Sequence, residues 1–165
     1  MQNQRALDAI GPKTLAEADA DWEIVVFMLL DIDHFKAIND THGHAAGDVV
    51  LQQVAATLQP LLQPDDRLAR FGGEDFVFLR SGGTVEEALA IAEAFRLALA
   101  AMSIGDNLNL KGTASFGLAV RRSIDNWIEL VSGADRELYR AKRSGRNCIC
   151  ATGPGLKKSA SVAMG

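Results

Sequence analysis

Two hydrophobic periods alternate along this chain. Ile24 to Leu30 is an unbroken aliphatic and aromatic run with no polar face, which predicts a central strand covered on both sides. Asp31-Ile32-Asp33 ends it. His34 to Thr41 then reads as a short helix with Asp33 as its N-cap, since that carboxylate can accept a free backbone N–H. Gly43 and Gly47 bracket a predicted loop. From Asp48 onward Leu51, Val54, Ala55, Leu58 and Leu62 keep the three-four spacing of one helical face, and Pro60 and Pro64 mark its end.

Arg67 to Phe71 and Phe76 to Leu79 are short strand-like runs joined across Gly72-Gly73-Glu74-Asp75, where paired glycines suit the positive φ angles of a tight hairpin. Val85, Ala88, Leu89, Ala92, Phe95 and Leu99 mark another amphipathic helix, followed by an alternating, strand-like stretch from Leu108 to Val120. Trp127, Leu130, Val131, Ala134, Leu138 and Ala141 predict a last helix closed by Gly145, and Cys148 to Ala151 a final strand. At the front, Arg5 to Ala20 reads as a helix interrupted at Gly11-Pro12. The residues from Gly153 to Gly165 have no periodicity and are expected to form a flexible tail. This order of elements describes an α+β fold, a sheet with helices packed against it.

Composition narrows the picture. With 165 residues, 48% apolar and 23% charged, the chain suits one self-sufficient core. A net charge of -4 is the opposite of a nucleic-acid footprint, so any nucleotide partner should be small and metal-bound. No run approaches the roughly 20 apolar residues of a membrane span and no signal peptide is visible, which leads us to expect a cytoplasmic domain. Cys148 and Cys150 share a strand face and read as small buried side chains rather than a disulfide.

The candidate chemistry is acidic. Asp31 stands at the end of the buried strand, and Glu74 and Asp75 on the predicted hairpin tip. If hairpin and strand are neighbours these carboxylates converge, and they then raise one another's pKa or bind a cation, for which Mg²⁺ with phosphate is the natural choice. Taken singly, each reads better as a solvated turn residue, and only their coincidence argues otherwise. No G-x-x-x-x-G-K-[ST] is present, which argues against a Walker-type ATPase. His42-Gly43-His44 lacks a third ligand at zinc spacing, and Ser81 and Ser115 lack His-Asp partners.

Arg70-Phe71-Gly72-Gly73-Glu74-Asp75-Phe76 resembles the signature hairpin of the GGDEF domains, the diguanylate cyclases of bacterial signalling. Three more blocks follow that family's order and spacing: Asp31-Ile32-Asp33-His34-Phe35-Lys36-Ala37-Ile38-Asn39-Asp40, Gly43-His44-Ala45-Ala46-Gly47-Asp48, and Tyr139-Arg140-Ala141-Lys142-Arg143-Ser144-Gly145-Arg146-Asn147. The resemblance covers residues 3 to about 151 and implies one GGDEF domain over 1–152. Its implied fold is a cyclase- or palm-like, mostly antiparallel sheet of about five strands flanked by helices, with the signature on a β-hairpin.

The resemblance further implies that Asp31, the Ile32 carbonyl and Glu74 hold Mg²⁺ (or Mn²⁺), with Asp75 beside them at the catalytic centre. Asn39 and Asp48 resemble guanine readers, and guanine does offer adjacent N1–H and N2 donors that one carboxylate can accept together. For Asp48, the first turn of a helix is an equally good explanation. Lys142 and Arg146 resemble phosphate clamps, although cations also favour helix C-termini. The amides of Phe35 and Lys36 would cradle phosphates, and Gly72 and Gly73 would let the nucleotide approach. Two GTP would condense to cyclic di-GMP and two pyrophosphates, which requires a second GGDEF domain facing the first. An upstream sensor or receiver module would bring the pair together.

Three positions depart from the family pattern. Asp75 replaces the usual Glu and is one methylene shorter. Gln63-Pro64-Asp65-Asp66 stands where many members have Arg-x-x-Asp for product inhibition, so Asp66, with Arg96, is expected to bind product only weakly. The Asp-x-Leu-Thr-Gly segment expected at the start is missing. The rival to a cyclase is a degenerate domain that binds GTP or cyclic di-GMP without turnover. A remoter alternative is another nucleotidyl cyclase or a polymerase-like palm using the same metal geometry.

Overall fold

A computed structural model describes residues 4–21, 23–104, 110–121 and 125–156. Its centre is β1 (Val25–Ile32), all of whose residues are buried. Five strands form the main sheet in the order β2-β3-β1-β6-β7, where β2 is Arg67–Gly72, β3 Asp75–Ser81, β6 Ala114–Arg121 and β7 Ile149–Thr152. Only β6 and β7 pair in parallel; the other neighbours are antiparallel.

The uninterrupted apolar run of β1 serves two cores because successive side chains face opposite ways. Val26, Met28, Leu30 and Ile32 join Phe76, Phe78, Phe116 and Leu118 beneath α3 (His44–Leu58) and α4 (Val85–Ala101). Val25, Phe27 and Leu29 face α1 (Gln4–Asp21) and α5 (Trp127–Arg143). The expected α+β fold with a mostly antiparallel five-stranded sheet and a signature hairpin is the one observed.

Gly117 fixes where α5 lies. A Cβ there would overlap the Ala134 carbonyl and the Leu138 amide, so the helix backbone rests directly on β6. Its 17 residues span about 25 Å from a capping box at Asn126 and Glu129 to Lys142, near the end of the strand that carries Asp31.

Several boundaries differ from the expectations. β1 continues through Asp31 and Ile32, because both still pair with β6. The helix α1 runs unbroken with Pro12 inside, and neighbouring Gly11 lies where a Cβ would overlap the Trp127 ring, so tertiary packing overrides the local break. Between α2 (Phe35–His42) and α3 the connection is Gly43 alone at φ 84°; Gly47 lies within the second helix, and Asp48 beyond its first turn. The hairpin turn is Gly73-Glu74, with Gly72 and Asp75 already paired strand residues. The stretch expected as one strand from Leu108 divides into β5 (Leu110–Lys111), which pairs with the short β4 (Ser103–Ile104), and β6; residues 105–109 lie outside the description. Leu156 packs on the core past the expected start of the tail, whose residues from 157 lie outside the description. Cys148 and Cys150 are free thiols in a small buried cluster with Ala141.

Candidate active site

Antiparallel pairing places Asp31 of β1 directly opposite Asp75 of β3 and opposite Ser115 of β6. The two residues are cross-strand neighbours, and burial, followed by hydrogen bonding with Asp31 and its charge, raises the Asp75 pKa from its ordinary 3.8 to about 7. Glu74 adds to the rise, while Lys142 opposes it. The Lys142 ammonium reaches in from the end of α5, its Nζ 2.7 Å from Asp31 Oδ2. Residues 111 positions apart in sequence thus form one ion pair at the end of the sheet.

Among the described residues, no group of three or more His, Cys, Asp or Glu is clustered as a set of metal ligands. The site is instead a close carboxylate pair with Glu74 near enough to act on it and one lysine alongside. That donor set, two neighbouring carboxyls with Glu74 close by, fits a hard cation that takes one or two carboxylates and keeps phosphate and water ligands.

Beside the carboxylates, α2 begins at Phe35, whose ring is in the core, while Lys36 is exposed. The helix has no side-chain cap. His34, in the left-handed region at φ 60°, occupies the N-cap position, so the first-turn amides are not engaged by a capping side chain. Asp33 is therefore not the cap that its position suggested. Its carboxylate accepts hydrogen bonds from Thr113 Oγ1 at 2.6 Å, Ser115 Oγ at 2.6 Å and the Asn147 backbone N–H at 3.0 Å. Nothing local distinguishes a cap from such an anchor, because these donors lie 80 to 114 residues away.

Asn39 faces Gly47 where α2 crosses α3. Its Oδ1 is buried without a hydrogen-bond partner, and a Cβ at Gly47 would overlap that atom. Asp48 is the next residue and exposed. It lies outside the first turn, which holds no acidic residue, so a favourable helix-dipole position does not account for it. Gly73 needs its φ of 45°, and its carbonyl accepts from Arg70 Nε at 2.9 Å. Gly72 has neither a positive φ nor any atom within 4 Å of where a Cβ would sit, so the fold itself does not demand glycine there. Arg146 is exposed on the loop after α5.

The other two candidates are engaged elsewhere. Asp66 is buried in a paired fork with Arg80, at 2.7 and 2.6 Å, and also accepts the Gln63 N–H. Arg96, 8% exposed, is held by Glu93 and donates to Asn147.

Residues 1–148 match the family described as diguanylate cyclase, GGDEF domain. Diguanylate cyclase A of Treponema denticola is 35% identical over 139 residues, covering 83% of this chain and 38% of that protein. The GGDEF domain of DgcB from Caulobacter crescentus, solved in complex with c-di-GMP, superposes with a TM-score of 0.86 at 31% identity, covering 92% of this chain and 91% of that one. The active GGEEF domain of a diguanylate cyclase from Vibrio cholerae gives 0.84 at 31% identity, covering 90% and 96%. The chain thus spans well under half of its curated full-length relative while matching isolated domains almost end to end. From the convergent carboxylates on a GG-E-D hairpin to the sheet order that carries them, this chain belongs to the GGDEF domain family of diguanylate cyclases.

Proposed function

We propose that this domain binds GTP with a divalent cation and, facing a second copy, condenses two GTP into cyclic di-GMP and two pyrophosphates. The observation that carries the proposal is the meeting of Asp31, Asp75 and Lys142 at one end of the sheet, next to the uncapped start of α2. Asp31, the Ile32 carbonyl and Glu74 would hold Mg²⁺. When bound, that cation supplies charge neutralisation at the α-phosphate and lowers the pKa of the attacking hydroxyl.

The chain's own residues account for the remaining tasks. First-turn amides of Phe35 and Lys36 suit the terminal phosphates, with Lys142 and Arg146 as their cationic counterparts. Asn39 and the exposed Asp48 offer a polar edge for guanine, and Gly72 leaves its surroundings open for nucleotide to approach. In each half-reaction a 3′-oxygen forms a bond to the α-phosphorus of the other nucleotide. The Pα–O bond to pyrophosphate breaks, and the hydroxyl proton passes to the carboxylate cluster. One domain presents one such set of residues, so both bonds form only between two facing copies.

Asp66 and Arg96 are committed to Arg80, Glu93 and Asn147, and Gln63 lacks a guanidinium. Feedback binding of product through these residues is therefore weak. The test is incubation with GTP and Mg²⁺ and detection of cyclic di-GMP, beside Asp31→Ala and Asp75→Glu variants. Turnover abolished by Asp31→Ala supports the proposal. A silent wild type together with an active Asp75→Glu variant assigns the native domain to nucleotide binding without turnover, since a displacement of about 1 Å can cost about 100-fold in rate.

A further inference from the structure

The loop after α5 carries three successive residues at positive φ, one of which, Arg146, is held against its backbone preference. Gly145, Arg146 and Asn147 have successive φ values of 108°, 64° and 46°, and a left-handed conformation is disfavoured for an arginine. Such a conformation persists only where surrounding contacts over-determine it.

Those contacts come from three directions. Arg146 N–H donates to Ala141 O at 3.2 Å, which closes the end of α5. Asn147 N–H donates to Asp33 Oδ2 at 3.0 Å. The Asn147 side chain is gripped from α4, where Arg96 Nη1 donates to its Oδ1 at 3.0 Å. Arg96 is itself oriented by Glu93, through Nε to Oε2 at 2.8 Å and Nη2 to Oε1 at 2.7 Å. Asp33 is only 4% exposed and is further fixed by Thr113 and Ser115. A continuous chain of bonds therefore joins α4, the α5–β7 loop and the segment that follows the metal-binding strand end.

The geometry points to Asp33, assisted by Arg96, as a positioning residue that holds Arg146 in its phosphate-binding place through Asn147. The inference rests on the nucleotide reading above. Asp33 does not touch substrate; it acts by keeping the strained loop from relaxing, so its effect on nucleotide affinity passes through Arg146. A merely structural Asp33 would weaken the fold but would not be energetically coupled to that one arginine.

A double-mutant cycle tests it, with a GTP analogue carrying a non-hydrolysable α,β-methylene bridge, Mg²⁺ and isothermal titration. Arg146→Ala is expected to weaken binding about tenfold, the worth of a charged hydrogen bond. Asp33→Ala should weaken it to a similar degree, and by less than about twofold once Arg146 is already alanine. Thr113→Val removes one bond to Asp33 but keeps Asn147 in place, so it should leave affinity unchanged. In the nucleotide-free protein, Asn147 amide exchange should accelerate in Asp33→Ala and not in Thr113→Val. Should Asp33→Ala lack a cooperative unfolding transition, Arg96→Met takes its place in the cycle with the same coupling expected.

Additive losses would overturn the inference, as would a Thr113→Val variant as weak as Asp33→Ala. Absence of any wild-type affinity would overturn the nucleotide reading itself, a result distinct from additivity.

Discussion

Replacing Asp75 by asparagine should stabilise the domain at neutral and alkaline pH. In the folded protein the Asp75 pKa is raised from 3.8 to about 7 by burial and by the neighbouring Asp31 carboxyl. Unfolding frees it to ionise at its ordinary value. Between about pH 4 and pH 7 the native state therefore holds a proton that the unfolded state has lost, and stability falls as pH rises, by up to about 1.4 kcal/mol per pH unit. The contribution is fully present below pH 4 and lost by the time pH has passed 7. The whole shift is equivalent to about 4 kcal/mol, but the side chain is only half-buried, and solvent screening reduces the net effect to about 1–2 kcal/mol. Asparagine never ionises. Urea denaturation of wild type and Asp75→Asn at pH 4 and pH 8, without divalent cations, should show matching stability at the lower pH. At pH 8 the variant should be about 1–2 kcal/mol more stable, or roughly 2–8 °C higher in Tm for a domain of this size. Saturating Mg²⁺ should narrow the gap at pH 8, since a cation relieves the same repulsion. Parallel stability profiles from pH 4 to pH 8 would refute the account of Asp75 as a half-buried carboxyl crowded by Asp31.

Three further outcomes follow from particular contacts. Gly47→Ala forces a methyl into Asn39 Oδ1 and should cost about 1–3 kcal/mol in chemical denaturation while weakening guanine nucleotide binding. Arg80→Met leaves the Asp66 carboxylate buried without its partner and should cost about 3–5 kcal/mol in the same measurement; a loss below 1 kcal/mol would mean that water reaches Asp66. Asp48→Ala should leave stability within about 0.5 kcal/mol, because the side chain is exposed, yet reduce the preference for GTP over ATP in competition binding about tenfold or more.

Much of the site was legible because its chemistry travels in short blocks. The run from Ile24 to Leu30 implied a strand buried on both faces, and its end at Asp31, with the GG-E-D hairpin, implied a converging acidic centre. Both expectations follow from local rules: side-chain alternation in strands and glycine at positive φ in turns. Boundaries were less legible where tertiary contacts outweighed local preference. Pro12 sits inside a continuous helix, beside a glycine packed on Trp127, and Gly47 lies within a helix where it meets Asn39.

By itself the sequence determined the elements, their polarity and the family to which their motifs belong, since these depend on spacing along the chain. Only the tertiary structure decided what the polar side chains do. Lys142 meets Asp31, Arg80 consumes Asp66, and Asp33 leaves its helix uncapped to hold Asn147. A buried charge is stabilised only by whatever partner packing brings within hydrogen-bond reach, and no spacing along the chain names that partner.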